Sequence, residues 1–343
     1  MKRKWRPICL IVSIVLMLTG CSSPSPHLPG YLYAFTNNEF TVTNLNTGKL
    51  IARVTGPKTV NFRYAAKIDD NTILLSGSSA LPNGRSVSVK LDGHIIQFVA
   101  SKPANWLYNR STGELTSFPV PSEYSSLGMP AYLPKHKSIV FYCRDNQLCR
   151  MSLDDPDYPA VGDISANLDK EVGDYGYYPI VTISNDEVVY ATNNSMAKYY
   201  NLSTGQVGYL PFKKKCVPLL WRSKTQQLLC FVYQPKPRYY FIRLDGMDMQ
   251  LAVNFDGWPN IYFPDYDTAL AGGLKLRWYF PDPVPHEWSI LRSYNLMTGA
   301  VDVFASGSWE YVGGAVWFSN VPKVIPGIAF AATASASEAD TEN

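Results

Sequence analysis

The side chain with the clearest chemical assignment is Cys21. It ends the run Leu18-Thr19-Gly20-Cys21, at the close of a segment ordered like a secretory signal. Lys2, Arg3, Lys4 and Arg6 form a basic start, residues 8–18 are apolar, and small residues lead to the cysteine. The apolar run is shorter than the ~20 residues that cross a bilayer comfortably. The Cys21 thiol is a good nucleophile once deprotonated.

Four more cysteines lie in the mature chain. Cys143 and Cys149 flank Arg-Asp-Asn-Gln-Leu between two strand-like runs, so a hairpin centred near Asn146 sets them opposite each other. Cys216 and Cys230 are similarly symmetric about Ser223. Two local disulfides are expected, 143–149 and 216–230, since an exported chain can oxidise its thiols; buried free thiols are the alternative. Neither spacing is C-x-x-C, which gives a zinc or thioredoxin-like reading little support.

Other reactive groups are sparse. His27, His94, His136 and His286 are far apart, each in a turn or linker context, and read as solvated loop residues. No H-E-x-x-H, G-x-S-x-G or Walker loop occurs. Asp154-Asp155-Pro156-Asp157 has carboxylates but not the spacing or glycine of an EF-hand, and reads as an acidic turn. Lys213-Lys214-Lys215 reads as an exposed strand edge. No catalytic residue, metal site or cofactor is expected.

The Leu-Thr-Gly-Cys ending resembles the lipobox of bacterial lipoproteins. That resemblance covers residues 1–21. It implies thioether attachment of a diacylglycerol to Cys21, cleavage before it and acylation of the new amine. Two or three acyl chains anchor stably where one holds only marginally. The following residue is Ser22 rather than the Asp that favours inner-membrane retention in such Gram-negative proteins. The resemblance therefore implies an outer-membrane lipoprotein facing the periplasm. An ordinary signal peptide or a short N-terminal membrane anchor is the alternative.

Removal of residues 1–20 changes the charge argument. The full chain is +3, but four of its 31 Lys and Arg lie in the signal, leaving 27 against 28 acidic side chains. Net charge then offers no reason to expect a nucleic-acid partner. Residues 21–30, rich in Ser and Pro, read as a lipidated tether.

The body, residues 31–325, must position whatever the chain presents. Its 23 Tyr, 15 Phe and 8 Trp, broken by scattered Pro and Gly, read as all-β. An Asn-x-x-Thr-Gly turn recurs at Asn44, Asn109, Asn201 and Asn295, with shorter relatives at Asp92, Asp154 and Asp245. Asn or Asp opens such a turn by accepting from its own backbone, and Gly takes positive φ at its end. Leucines at 45, 91, 153, 202, 244 and 296 mark a period mostly in the forties, which suits propeller blades. The longest interval contains the turn at Asn109, so a seventh blade or an elaborated second one is open. Apolar runs at 72–76, 138–142, 187–191 and 227–233 fit strands buried between neighbouring blades. The run 313–318 is placed to complete a blade with residues 31–35 and close the ring. The pattern resembles WD40-like and quinoprotein-like β-propellers in architecture, without their signature motifs. A β-propeller of six or seven blades is the expectation; a β-sandwich pair and an open solenoid are its rivals. Residues 326–343 read as a disordered tail.

The aromatic segments are the candidate contact surfaces: Tyr175, Tyr177 and Tyr178; Trp258, Tyr262 and Tyr266; Trp278 and Trp288. All three read as loops. Exposed Tyr and Trp anchor protein partners. The expected function is a membrane-anchored envelope lipoprotein whose propeller is a protein-interaction scaffold. A glycan- or small-molecule-binding propeller, catalytic or not, is the alternative.

Overall fold

A computed structural model gives the fold. It describes residues 28–36, 38–56, 59–81, 86–91, 94–99, 101–118, 129–142, 148–153, 161–163, 179–191, 196–210, 215–232, 238–253, 255, 258–274, 289–305, 314–320 and 329–330. Within them the chain forms six antiparallel sheets arranged as the blades of a closed propeller. Blade 1 joins the two ends of the chain: Gly314–Phe318 is its innermost strand, followed outward by Tyr31–Thr36, Glu39–Asn44 and Lys49–Thr55. Blade 2 is Val60–Lys67, Thr72–Ala80, Ser101–Asn109 and Glu114–Ser117. Blade 3 is Ala131–Leu133, Ser138–Tyr142, Leu148–Ser152 and Val161–Asp163. Blade 4 is Val181–Thr182, Glu187–Ala191, Ala197–Asn201 and Val207–Tyr209. Blade 5 is Val217–Arg222, Gln227–Val232, Arg238–Arg243 and Met249–Leu251. Blade 6 is Trp258–Phe263, Thr268–Leu274, Ser289–Asn295 and Val301–Ala305. The innermost strands touch in cyclic order, blade 1 to 6 and back to 1.

Closure occurs where the sequence placed it. Tyr31 to Phe35 pair antiparallel with Phe318 to Gly314. Gly314 is required at the junction with blade 2. A Cβ there would lie 2.2 Å from the backbone nitrogen of Ala65 and 2.8 Å from the Tyr64 carbonyl carbon.

The apolar runs form the second strand of their blades, and their burial follows from that position. Ser138–Tyr142 is buried at every residue, and Glu187–Ala191 at all but its first. Each such strand has hydrogen-bonded neighbours on both edges and a neighbouring blade on each face. The outermost strands are largely exposed, as in Lys49–Thr55.

The repeated turn joins the third and fourth strands of blades 1, 2, 4 and 6, and its side chains act alike each time. The Asn Oδ1 accepts backbone N–H groups two or three residues on, as in Asn44 from Asn46 (2.9 Å) and Asn295 from Thr298 (2.9 Å). The Thr hydroxyl accepts the N–H after the glycine, 3.2 Å in three of the four turns. The glycines sit at φ between +66° and +74°. The residue after Asn donates its N–H to the first turn of the blade, as Leu202 to Asp186 (2.7 Å) and Leu296 to Asp267 (2.8 Å).

Four expectations are corrected. Leu91 does not mark a blade: Ser86–Leu91 and His94–Val99 form a separate hairpin inserted between the second and third strands of blade 2. The turn at Asn109 is that blade's own, so there are six blades and no seventh. Residues 28–30 belong to the folded body, not the tether. Leu28 is buried with Leu45, Ile261 and Phe263, and the Pro29 carbonyl accepts from Trp317 Nε1 at 2.7 Å. Within the expected tail, Ala329–Phe330 pairs in parallel with Glu114 and Leu115, covering part of an otherwise open edge of blade 2. His136 is not a solvated loop residue; its side chain is 17% exposed and meets Asp186 across the blade 3–4 boundary.

Three polar clasps bridge neighbouring blades on the face that carries the repeated turns. Arg110, buried, donates to Asn320 Oδ1 (3.0 Å) and the Asn320 carbonyl (3.1 Å), with its guanidinium 3.5 Å from the Phe318 ring centre. Asp186 receives Lys135 Nζ (2.8 Å), Ser203 Oγ (2.7 Å) and the His136 ring. Arg222 pairs with Asp267 across blades 5 and 6, at 3.1 and 2.5 Å. Hydrogen bonds from Lys135, Ser203 and His136, in that order, hold the Asp186 carboxyl well below the usual carboxylate range.

Two predictions follow from this packing. Gly314→Ala will lower the denaturant midpoint by the equivalent of ~1–3 kcal/mol, because backbone must shift to admit the methyl; an unchanged midpoint would contradict the close approach. Asp186 has a depressed folded pKa, so its stabilisation is present above the unfolded value of 3.8 and is lost as pH falls through the lower folded value. Asp186→Asn should therefore melt below wild type at neutral pH, with the gap closing under acidification below pH 3.8. A gap that stays constant or widens in thermal melts would refute the clasp.

Candidate functional site

Propeller connectivity sorts every connection onto one of two faces. The turns between first and second strands and between third and fourth strands share one face, called here the short-turn face. The connections between second and third strands, and from one blade to the next, share the other, called here the loop face. The longest connections all belong to the loop face: those spanning 81–100, 118–130, 164–180 and 275–288.

The aromatic candidates divide between these faces. Trp258–Phe263 is not a loop but the innermost strand of blade 6, paired with Thr268–Leu274. Pro259 has no N–H to donate to a ladder. It is tolerated because this is an edge strand of its blade, with a register shift between Pro259 and Ile261. The same device accommodates Pro218 in blade 5. Trp258 thus begins at the loop face, while Tyr262 and Tyr266 lie toward the short turns. Tyr266 is 48% exposed, within the turn that follows Phe263. Tyr175, Tyr177, Tyr178, Trp278 and Trp288 lie outside the described residues. Pro179, after the first group, and Leu274 and Ser289, bracketing the second, stand at the loop face.

Tyr262 is half-buried and donates to Asp267 Oδ1 at 3.0 Å. Burial, then the neighbouring Asp267 charge, pushes its hydroxyl up to about 12. A phenol so held stays protonated at physiological pH and extends the Arg222–Asp267 clasp.

A central channel of about 330 Å³ runs along the innermost strands. Tyr64, Thr182, Leu220, Trp221, Tyr262 and Ala315 are among its walls, with all six blades contributing. Among the described residues, none that lines it is Asp, Glu, Lys, Arg or His. Of the Asp, Glu, Arg and Tyr side chains whose convergence would favour a catalytic or glycan site, Tyr64 and Tyr262 line it among the described residues. Among the described residues no three His, Cys, Asp or Glu side chains gather as a metal site requires.

The cysteines act structurally. Cys216 and Cys230 are bonded, with Cα atoms 5.3 Å apart, tying the start of the first strand of blade 5 to its second. Cys149 is also disulfide-bonded, while Cys143 and the lipidation candidate Cys21 lie outside the described residues.

Sequence reasoning passed over a set of exposed apolar side chains. Met247 is 88% exposed, Met297 70% and Val253 62%. A signal for one of them was present. The third residue of the repeated turn is Asn46, Ser111 or Ser203 in three copies and Met297 in the fourth.

No family model matches the chain, and no curated protein matches it. Among solved structures it is similar to TolB from Acinetobacter baumannii, at 12% identity and a TM-score of 0.54, covering 83% of this chain and 65% of that one. A protein assigned as TolB from Agrobacterium tumefaciens gives 9% identity and a TM-score of 0.47, covering 81% of this chain and 89% of that one. A protein assigned as dipeptidyl aminopeptidase IV from Bacteroides ovatus gives 8% and 0.43, covering 82% and 52%. At these identities the likeness establishes the fold: the chain is a six-bladed β-propeller of the kind seen in TolB.

Proposed function

We propose that this chain is an envelope lipoprotein, acylated at Cys21, whose propeller presents its loop face to a protein partner. The observation that carries the reading is the unequal construction of the two faces. The short-turn face is built from near-identical turns and inter-blade clasps, which fix it. The loop face holds the long connections and the strand ends that bracket the aromatic segments 174–179 and 278–288. Loops displayed on a rigid scaffold are where binding residues concentrate, and Tyr and Trp supply the anchors of protein interfaces. Sorting to the outer membrane rests on Ser22 after the acylated cysteine.

Photo-crosslinking in intact cells tests this. A crosslinkable residue at Leu81, Lys215 or Arg238, exposed on the loop face, should trap one common envelope protein. The same residue at Ser203 or Lys224, exposed on short turns, should not. Trapping from the short turns only, or no trapping while the purified protein retains a glycan, would overturn the reading.

A further inference from the structure

The exposed apolar side chains are unevenly distributed. Of the ten large hydrophobic residues exposed among the described residues, six belong to blades 5 and 6: Met247, Leu251, Val253, Tyr266, Met297 and Val301. Leu251 and Val253, at the loop-face end of the outermost strand of blade 5, meet Met297 in a hollow of about 180 Å³ between the two blades, with Phe241 and Phe255 also in its lining. Met247, Tyr266 and Met297 all sit on short turns. The charges between them are internally matched: Arg243 with Asp245 at 3.0 Å, and Arg222 with Asp267. Lys224, Asp248 and Asp265 are also exposed on short turns of these two blades, so the apolar side chains project from a mixed surface.

The N-terminal segment joins the ring next to this patch, on the same face. Leu28 packs with Leu45, from a short turn of blade 1, and with Ile261, Phe263 and Leu270 of blade 6. Gly30, at φ +91°, leads into Tyr31–Thr36 from the short-turn side, where its carbonyl accepts from Leu45 at 2.9 Å. The segment from Cys21 to Leu28 is seven residues, which reach at most about 25 Å. To lay the loop face on a membrane, the tether would first cross two strand spacings to the rim, about 10 Å. It would then pass the depth of a strand, about 20 Å. Its reach falls short of that path.

We infer that the short-turn face of blades 5 and 6 lies against the bilayer, with Met247 and Met297 seated at the headgroup boundary. The inference rests on acylation at Cys21. Flexible methionines suit such a surface because they adapt to disordered surroundings. Acyl chains and apolar turns then act as two attachments, and the loop face is turned toward the envelope space.

The test uses full-length lipidated protein in phosphatidylethanolamine–phosphatidylglycerol vesicles. An environment-sensitive fluorophore is attached at Met247→Cys, Met297→Cys or, as a loop-face control, Leu81→Cys. Brominated lipid should quench the first two by about twofold, as expected for side chains at the interface, and leave the third unchanged. Mass spectrometry of the N-terminal peptide reports acylation separately. Acylated protein with neither methionine site quenched, or with Leu81→Cys quenched instead, overturns the orientation and leaves the anchor standing. Shielding of the methionine sites by a second copy, with a dimer in light scattering, also overturns it. An unmodified Cys21 overturns both readings.

Discussion

The structure depends on one pairing, that of Gly314–Phe318 with Tyr31–Thr36. An open row of blades would expose two sheet edges and the apolar faces of two terminal blades. Closure covers both, and it makes each blade a neighbour on two sides. The buried second strands of every blade presuppose that arrangement. Two details protect the junction. Gly314 lets the backbones of blades 1 and 2 approach closely, and Arg110 reaches across the same boundary to Asn320 and the Phe318 ring. A buried guanidinium that donates to carbonyl oxygens and lies over aromatic rings is an expensive group to displace. That makes it a suitable keystone where the first and last parts of the chain must meet.

The same turn chemistry that builds the blades also divides the molecule into two unlike faces. Asn, Thr and Gly satisfy one another's backbone in each repeated turn, leaving the short-turn face regular and fixed. The longest connections are on the opposite face. The single departure from polar side chains in the repeat, Met297, falls in the blade beside which the N-terminal segment docks. Regularity on one face and variety on the other are consequences of strand connectivity, not separate features.

Much of this was legible in the sequence because it is local. The Asn-x-x-Thr-Gly turns, the apolar second strands, the closing pair and the 216–230 disulfide each depend on residues close in sequence or on a repeated pattern. What was not legible is non-local. Leu91 carries the same turn pattern as a blade yet belongs to an inserted hairpin, because turn chemistry reports a hairpin and not the sheet it joins. Trp258–Phe263 read as a loop, yet its proline is admitted because an edge strand does not need that donor. His136 and Asp186 are fifty residues apart and meet only because adjacent blades bring their turns together. Leu28 looked like tether because its partners, Ile261 and Phe263, lie at the far end of the chain.

The orientation we propose makes the ring a two-sided body, one side held to a membrane by acyl chains and short turns, the other displayed. Neutron reflectometry of the lipidated protein on a supported bilayer tests that most directly. The account predicts a protein layer in direct contact with the headgroups, without a hydrated gap, and with added density inside the headgroup region. A layer separated from the bilayer by a water-rich gap would contradict it, because the ring would then hang free on its tether.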